Sequence, residues 1–316
     1  MILLLSDTHL SHDRYGLLNR KLEILRNIVV EYGNDADRIY HAGDGHDSRS
    51  YSAELATLEA QVWNLLKDKS KLFVCLGNHD GEKRKYGPLS PYSIASGINI
   101  VGQDCIIDGD WCLRGWTDKP LPDVKARYFL GHVNLKDEIG KGLSYDELEQ
   151  SPFEKIYLGD LHQHKEVGKV ISIGCLFPSS FRDENLQGGF IVVQGDHLYE
   201  YMRYTIPNNR YPIFKTIEIT PENFGRDIKD VTFNIVRVRI NCPEKWFTDE
   251  RKKKLRQHIL DLDPWYFAGF IVREYKSEKE LAKKSFSDNP EKIIREKARR
   301  DGWTDKQLTM VLDALE

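Results

Sequence analysis

The sequence predicts an α/β fold: a sheet with helical crossovers, followed by a smaller α+β unit. Three observations predict it. Short apolar runs alternate with stretches of helical period over the first 76 residues, the order β-α-β-α-β of strands joined by crossover helices. Several of those runs stop at a glycine or serine followed by polar side chains able to bind metal, and in α/β sheets ligands bind at the carboxyl ends of strands. Beyond residue 205 the pattern changes to alternating strands around one basic helix.

Residues 2–5 are a short apolar strand, followed by Ser6-Asp7-Thr8-His9. Asp7 and His9 are two apart, so on an extended tip they point the same way and can reach one ion. Residues 17–32 carry apolar side chains at 18, 22, 25, 28 and 29, an amphipathic helix. Residues 38–42 form the second strand and run into Gly43-Asp44-Gly45-His46-Asp47, where the Asp44 carboxylate has two oxygens with which to bridge two cations. Residues 54–66 are the next helix, with Leu55, Leu58, Val62, Leu65 and Leu66 on one face. The third strand, residues 71–76, ends in Gly77-Asn78-His79-Asp80. Asn offers a neutral oxygen ligand, and His a ring nitrogen that binds metal or moves a proton.

Residues 84–97 read as a loop with a short helix, and 98–101, 105–107 and 111–116 as short strands. Residues 128–130 are a strand ending in Gly131-His132, and 135–152 a loop with one helix. The strand at 156–158 runs into Gly159-Asp160-Leu161-His162-Gln163-His164, and 167–173, 190–193 and 198–204 read as antiparallel strands.

Composition narrows the class. The 316 residues, 40% hydrophobic and 30% charged, suffice for one large domain or two smaller ones. The apolar start lacks a basic n-region and is interrupted by Asp7 and His9, so neither a signal peptide nor a membrane span is expected. Five scattered cysteines without a Cys-x-x-Cys pair imply neither a zinc ribbon nor a disulfide framework, and fit a reducing cytoplasm. A net charge of −3 gives no global pull toward nucleic acid, though it leaves room for a local basic face.

Each polar cluster alone reads equally as a helix cap or an Asx turn. Five in one chain, all at the same end of a strand, do not: Asp7/His9, Asp44, Asn78/His79, His132 and Asp160/His162. The donors are oxygen and imidazole without thiolate, which suits Mn, Fe or Zn in a non-structural site. They are too many for one ion and suit two sharing a carboxylate, roughly 3.5–4 Å apart, the clamp used in phosphoester hydrolysis.

These blocks resemble the calcineurin-like metallophosphoesterases, whose ordered pattern is D-x-H, G-D-x-x-D/H, G-N-H-D/E, G-H and G-H-x-H. The resemblance covers residues 1–205 and implies a four-layer calcineurin-like β-sandwich flanked by helices. It implies one ion held by Asp7, His9, Asp44 and His162, and a second by Asp44, Asn78, His132 and position 160. This chain has Asp160 there in place of the usual histidine, a harder, anionic ligand that shifts preference toward Mn or Mg. His164 is an alternative ligand, and otherwise a surface histidine. By the resemblance His79 stabilises the transition state or protonates the leaving oxygen, and Asp80 orients a ligand from behind. Asp47 falls where nuclease relatives often carry a second histidine. His46 reads as solvent-facing, with a substrate contact as the alternative.

Within the family, the segments at 90–102 and 173–193, and a chain that continues past the catalytic domain, are similar to SbcD-type DNA repair exonuclease subunits and their bacteriophage counterparts. The expected domains are residues 1–205 for the nuclease, 206–276 for a capping or DNA-binding unit, and 277–316 for a helical segment. The cap is expected as strands at 213–219 and 232–241, a helix at 249–262 opening on Arg251-Lys252-Lys253-Lys254, and a strand at 267–275. Between 241 and 300 there are sixteen basic and eleven acidic residues, enough for a local phosphate-tracking patch. Asn289-Pro290, Asp301-Gly302 and the Thr304/Gln307 capping box predict a C-terminal helical hairpin with an apolar stripe.

The resemblance thus implies a two-metal, Mn-dependent DNA exo/endonuclease, acting on DNA as a homodimer with an SbcC-type SMC-like ATPase. A stand-alone phosphodiesterase or phosphatase acting on a nucleotide or phosphoprotein, and a non-catalytic scaffold, are the alternatives.

Overall fold

Strand β1 (Ile2–Leu5) is buried along its whole length, as four consecutive aliphatic residues without polar alternation require of a central parallel strand. The computed structural model describes residues 1–11, 15–33, 35–46, 53–69, 71–80, 97–117, 119–194, 200–229 and 231–275. Asp47, all but Gly97 of the 84–97 segment and the C-terminal hairpin lie outside them.

β1 pairs in parallel with β2 (Arg38–His41), β2 with β3 (Lys71–Cys75) and β3 with β4 (Asn99–Val101). On the other side β1 meets β11 (Gly189–Gln194), which meets β12 (Glu200–Thr205), both antiparallel. The first sheet therefore runs β12-β11-β1-β2-β3-β4. Helices α1 (Leu18–Ile28) and α2 (Ala53–Lys69) are its crossovers. The helix expected to reach residue 32 gives way after Ile28 to a π-helical turn, Val29–Gly33, where a second β-branched residue, exposed Val30, breaks the apolar spacing. The buried face of α2 is also rotated from the expected one. Leu55, Glu59, Val62, Trp63 and Leu66 point inward, while Leu58 and Leu65 are half-buried.

The second sheet runs β5-β6-β7-β8-β10-β9: β5 (Ile106–Asp108), β6 (Trp111–Arg114), β7 (Tyr128–His132), β8 (Lys155–Gly159), β10 (Val170–Ser172) and β9 (Lys165–Val167). The single strand expected at 167–173 is instead a hairpin, because Gly168 takes a φ of +57° and turns the chain. β10 then lies parallel to β8, not antiparallel. The one helix expected in 135–152 is two, α3 (Lys136–Ile139) and α4 (Tyr145–Glu149). Gly140, with a φ of +78°, ends the first, and a Ser144/Glu147 capping box starts the second.

The sheets pack face to face through a shared core that includes Leu4, Phe73, Leu113, Leu130, Ile171 and Ile191. An aromatic ladder crosses it, with ring centroids 5.2 Å apart for Tyr40–Trp111, 5.1 Å for Trp111–Tyr128 and 5.4 Å for Trp111–Tyr157. A second cluster of Phe129, Phe153, Ile156 and Leu158 covers the outer face of the second sheet with Leu148 of α4. The result is the expected four-layer α/β sandwich. No helix among the described residues is long and apolar enough to cross a membrane.

The described residues fall into two compact units, one within 1–216, 230–236 and 263–267, the other within 217–229, 237–262 and 268–275. A three-stranded sheet has the order β13 (Phe214–Ile219), β14 (Ile235–Pro243), β15 (Tyr266–Tyr275). In the second unit, helix α5 (Asp249–Asp261) is capped by Thr248 and buries Leu255 and Ile259.

At the amino ends of β2 and β3, Asp108 of the second sheet accepts hydrogen bonds from Arg38 Nε (2.7 Å), Tyr40 Oη (2.8 Å) and Lys71 Nζ (3.0 Å) of the first. One carboxylate thus ties the two sheets together at the end away from the polar clusters. Asp108→Ala should lower the unfolding free energy by about 1–3 kcal/mol, seen as a lower urea midpoint at unchanged slope. An unchanged midpoint would show that water serves the three donors equally well.

Candidate metal centre

The loops after β1, β2, β3, β7 and β8 all leave their sheets at the carboxyl end, which gathers the five clusters at one edge. The β1–β2 pairing continues past the strands: Asp7 N–H donates to Gly43 O (3.0 Å), His9 N–H to Asp44 O (3.1 Å) and Leu10 N–H to Gly45 O (3.1 Å). The tip is not extended as expected. Asp7, His9, Asp44 and Asp160 take φ of +49°, +41°, +54° and +84°, the left-handed region in which Asp, Asn and His are tolerated best among residues with a side chain. Left-handed backbone, not strand alternation, brings Asp7 and His9 to one place.

Two glycines of the motifs have a steric reason. A Cβ on Gly77 would lie 2.0 Å from Asp44 Oδ1, and one on Gly43 would lie 2.4 Å from His132 Nδ1. Each of these glycines therefore leaves the space that a neighbouring loop's ligand occupies.

Three Asp/His groups bring their donor atoms within 4.8 Å of one another: Asp7–His9–His162, His9–Asp44–His79 and Asp7–Asp44–His132. Asp7, His9 and Asp44 each belong to two of them. His9 Nε2 is 3.9 Å from Asp7 Oδ1, 3.8 Å from Asp44 Oδ2 and 3.0 Å from His162 Nε2. His132 Nε2 is 3.6 Å from Asp44 Oδ2 and 3.5 Å from Asp160 Oδ1. Asn78 is exposed beside this cluster.

The donors fit a metal. The His132 ring is fully buried and its Nδ1 donates to the Ala42 carbonyl at 2.9 Å. That fixes the tautomer and leaves Nε2, which has no hydrogen-bond partner among the described residues, facing two carboxylates. His162 is set the same way. Its Nδ1 lies 2.6 Å from Asp183 Oδ1, and Asp183 Oδ2 accepts the Ser179 and Ser180 N–H groups. A carboxylate that orients a ligating imidazole from behind is a recurrent feature of metal sites. Asp183 went unread in the sequence, where its only signal is a Ser-Ser-Phe-Arg-Asp turn.

Asp80 is buried, and its carboxylate accepts N–H groups of Gly77 (2.8 Å), Gly45 (3.3 Å) and His46 (3.3 Å). It holds the Asp44 loop to the His79 loop. His46 is buried as well, its Nδ1 3.3 Å from Asp80. The expectation that it faces solvent is corrected, since the buried carboxylate draws the ring inward. His79 is half-buried; its N–H donates to Asp44 Oδ1 (2.9 Å), and its ring stands edge-on to that of His9 at 5.2 Å. His164 is half-buried and bonds Ser172 O through Nδ1 (2.7 Å). It joins none of the metal-competent groups among the described residues.

In the second unit Arg251 lies over the Trp246 ring, 4.5 Å from its centroid, and also donates to the Trp246 carbonyl. Lys252, Lys253 and Lys254 are exposed, and Lys254 pairs with Glu250 at 2.9 Å.

Charge at the cluster is far from its solution balance. Burial pushes the Asp7 and Asp44 carboxyls upward, with His132 opposing. Burial also resists charge on His132, but Asp44, Asp160 and Asp7 outweigh it and push that ring up to about 10. His162 is pushed up to about 9, burial being outweighed by Asp183 and Asp7.

Over residues 1–168 the chain matches the family model for calcineurin-like phosphoesterase. It is 26% identical to the DNA double-strand break repair protein Mre11 of Saccharolobus solfataricus, over 88% of this chain and 82% of that protein. Among solved structures it is similar to the nuclease MPE of Pseudomonas putida, with 17% identity and a TM-score of 0.32, over 54% of this chain and 66% of that one. The match thus spans just under two thirds of that nuclease.

Raised values on both histidines and carboxyls mean that the folded, metal-free chain binds more protons than the unfolded chain. The stability from the two imidazoliums is fully present below the ordinary histidine value of 6.5 and is lost as pH rises through 9 to 10. EDTA-treated protein should therefore lose thermal stability from about pH 6.5 to about pH 10. Saturating Mn should flatten that slope, because metal displaces the same protons. A Tm of the EDTA-treated protein that is flat or rises over this range would contradict the charge distribution.

Proposed function

The chain belongs to the calcineurin-like phosphoesterase family, and on that premise we propose that it is a two-metal DNA exo/endonuclease, the catalytic small subunit of an SbcC/SbcD-type end-processing complex. As a metallophosphoesterase it is a hydrolase of phosphoester bonds that uses divalent metal. The observation that supports the finer reading is that Asp7, His9 and Asp44 link three overlapping groups of metal-competent side chains into one cluster, with more donors than one ion takes. The repair role in the name of the Mre11 relative supports DNA as the substrate.

In this reading Asp7, His9, Asp44 and His162 hold one ion, and Asp44, Asn78, His132 and Asp160 hold the other. Two divalent ions, when bound, supply Lewis-acid polarisation of the phosphodiester and acidify the attacking water. Asp160 brings hard, anionic oxygen where an imidazole is usual, which favours Mn or Mg over Fe or Zn. His79, half-buried at the rim and tethered through its N–H to Asp44, gives a proton to the leaving oxygen or stabilises charge on it. Asp80 keeps the His79 loop against the Asp44 loop, and Asp47 is a further candidate.

Lys252, Lys253 and Lys254 would follow the DNA backbone, with Arg251 fixing the start of their helix through Trp246. An SbcC-type SMC-like ATPase partner, a homodimer and a cytoplasmic setting belong to the same proposal.

The deciding experiment is digestion of end-labelled linear DNA with Mn, comparing wild type with His79→Ala. Wild type should cut, and the variant should be slower by about 10²–10⁴-fold. Failure to cut, with or without an SbcC-type ATPase, alongside turnover of a small phosphodiester would replace the nuclease by a stand-alone phosphodiesterase.

Reversing two lysines together, Lys252→Glu with Lys253→Glu, should weaken DNA cutting and reduce the salt dependence of binding by roughly one unit of slope for each phosphate no longer neutralised. Turnover of the small diester should not change. Equal DNA binding by the double variant would remove α5 from the DNA surface.

A further inference from the structure

Helix α1 buries a charge among its apolar residues. Lys21 is 1% exposed on the face that carries Leu18, Leu22, Leu25 and Ile28, where an ammonium is strongly disfavoured unless it is paired. Its Nζ donates to the carbonyl of His9 at 2.9 Å. On α2, Glu59 is fully buried, and neither of its carboxylate oxygens has a hydrogen-bond partner among the described residues. Burial, with Asp80, pushes the Glu59 carboxyl well above its ordinary value, and Lys21 opposes that.

His9 itself has a φ of +41°, a conformation that a residue with a side chain keeps only when its surroundings impose it. Its N–H is held by the Asp44 carbonyl at 3.1 Å, and its C=O by Lys21. Both ends of the strained residue are thus clamped. The first clamp comes from a neighbouring loop of the cluster and the second from helix α1. Removing the second takes away a buried donor to that carbonyl and loosens the hold on the peptide after His9.

We propose that Lys21 is a positioning residue for His9: its ammonium, bonded to the His9 carbonyl, fixes the left-handed backbone that aims the His9 imidazole at Asp7, Asp44 and His162. This rests on reading the Asp/His cluster as a metal centre. Sequence periodicity gives no hint of the role, because Lys21 occupies a position where the helix calls for an apolar side chain. A buried ammonium on α1 that only balanced Glu59 would have no need to reach the His9 carbonyl.

Because Lys21→Met would also remove a charge that acts on Glu59, the test uses Glu59→Gln as background. Three chains are compared: Glu59→Gln, Lys21→Met/Glu59→Gln, which lacks the donor, and Lys21→Gln/Glu59→Gln, which keeps a neutral donor. The readouts are Mn affinity by EPR titration of the folded protein, and amide exchange of residues 6–10 after EDTA treatment. Relative to Glu59→Gln, loss of the donor should weaken Mn binding by about 10–100-fold and speed exchange in that loop. It should lower kcat on a small diester with little change in KM. The neutral donor should recover Mn affinity to within about threefold of the background.

Equal Mn affinity and exchange in all three chains would overturn the proposal, and so would equal loss in both Lys21 variants, which would assign the effect to charge. If the Met variant does not fold, the Gln variant decides by the same threefold criterion. A wild-type chain that binds no Mn would instead remove the metal-centre reading on which the inference depends.

Discussion

Asp7 and Asp44 sit almost wholly out of solvent at the ends of two adjacent parallel strands. Carboxylates held so close in a low-dielectric setting repel each other and lose their hydration. The residues around them offset that cost by several means. Ser6 Oγ and the Asp160 N–H donate to the Asp7 carboxylate, and the His79 N–H donates to Asp44. The rings of His9, His132 and His162 lie within reach. Backbone donors and imidazoles go only part of the way, since both carboxyls remain pushed toward protonation by burial. A divalent cation is a partner that these donors suit.

Such a cluster is only as precise as the sheets that carry it. Its donor side chains follow strands of both sheets, β1, β2 and β3 on one side and β7 and β8 on the other, so the distance between the sheets sets the distances between donors. The Tyr40–Trp111–Tyr128–Tyr157 stack fills the gap with rigid rings of few torsions, and Asp108 fastens the far end. Placing the site on strand ends with packed aromatics behind them holds positions more tightly than mobile loops would.

The sequence made the site legible because its grammar is repetitive. An apolar run, a small residue and a polar donor recur five times, and the sheet places all five at one edge. Glycine contributes to that grammar for a reason visible only in three dimensions: the space of a Cβ at Gly77 or Gly43 is taken by Asp44 or His132. What stayed hidden has a common cause, which is that periodicity weighs apolar residues alone. It passed over Lys21 and Glu59, polar side chains at buried helical positions, and favoured Leu58 and Leu65 over Trp63 for the inner face of α2. It also gave no warning that His46 turns inward, because the Asp80 that draws it lies 34 residues away. Asp183 was missed for the opposite reason: its motif is short, local and indistinguishable from an ordinary turn. The hairpin at Gly168 shows the same limit, since a single glycine within a β-branched run reads as a weakness in a strand until its φ is known.

The hidden residues are not scattered. His41, buried and held neutral, its pKa lowered by burial to about 4, accepts the Gly43 N–H through Nδ1; its Nε2 lies 3.3 Å from Thr8 Oγ1, which donates to Gly45 O. Asp80 and His46 bind the next loop, and Lys21 reaches the His9 carbonyl. Together they form a polar layer behind the ligands in which most bonds end on backbone N–H or C=O groups of the metal-competent loops. Apolar residues of similar volume would make a more stable interior at these positions. They could not hold four side-chain-bearing residues in left-handed conformations, because such backbone keeps its shape only where its peptide groups are individually bound. The polar layer is therefore best understood as the means by which the strand ends keep a geometry they would not adopt alone, and the site's precision comes at the expense of the core's stability.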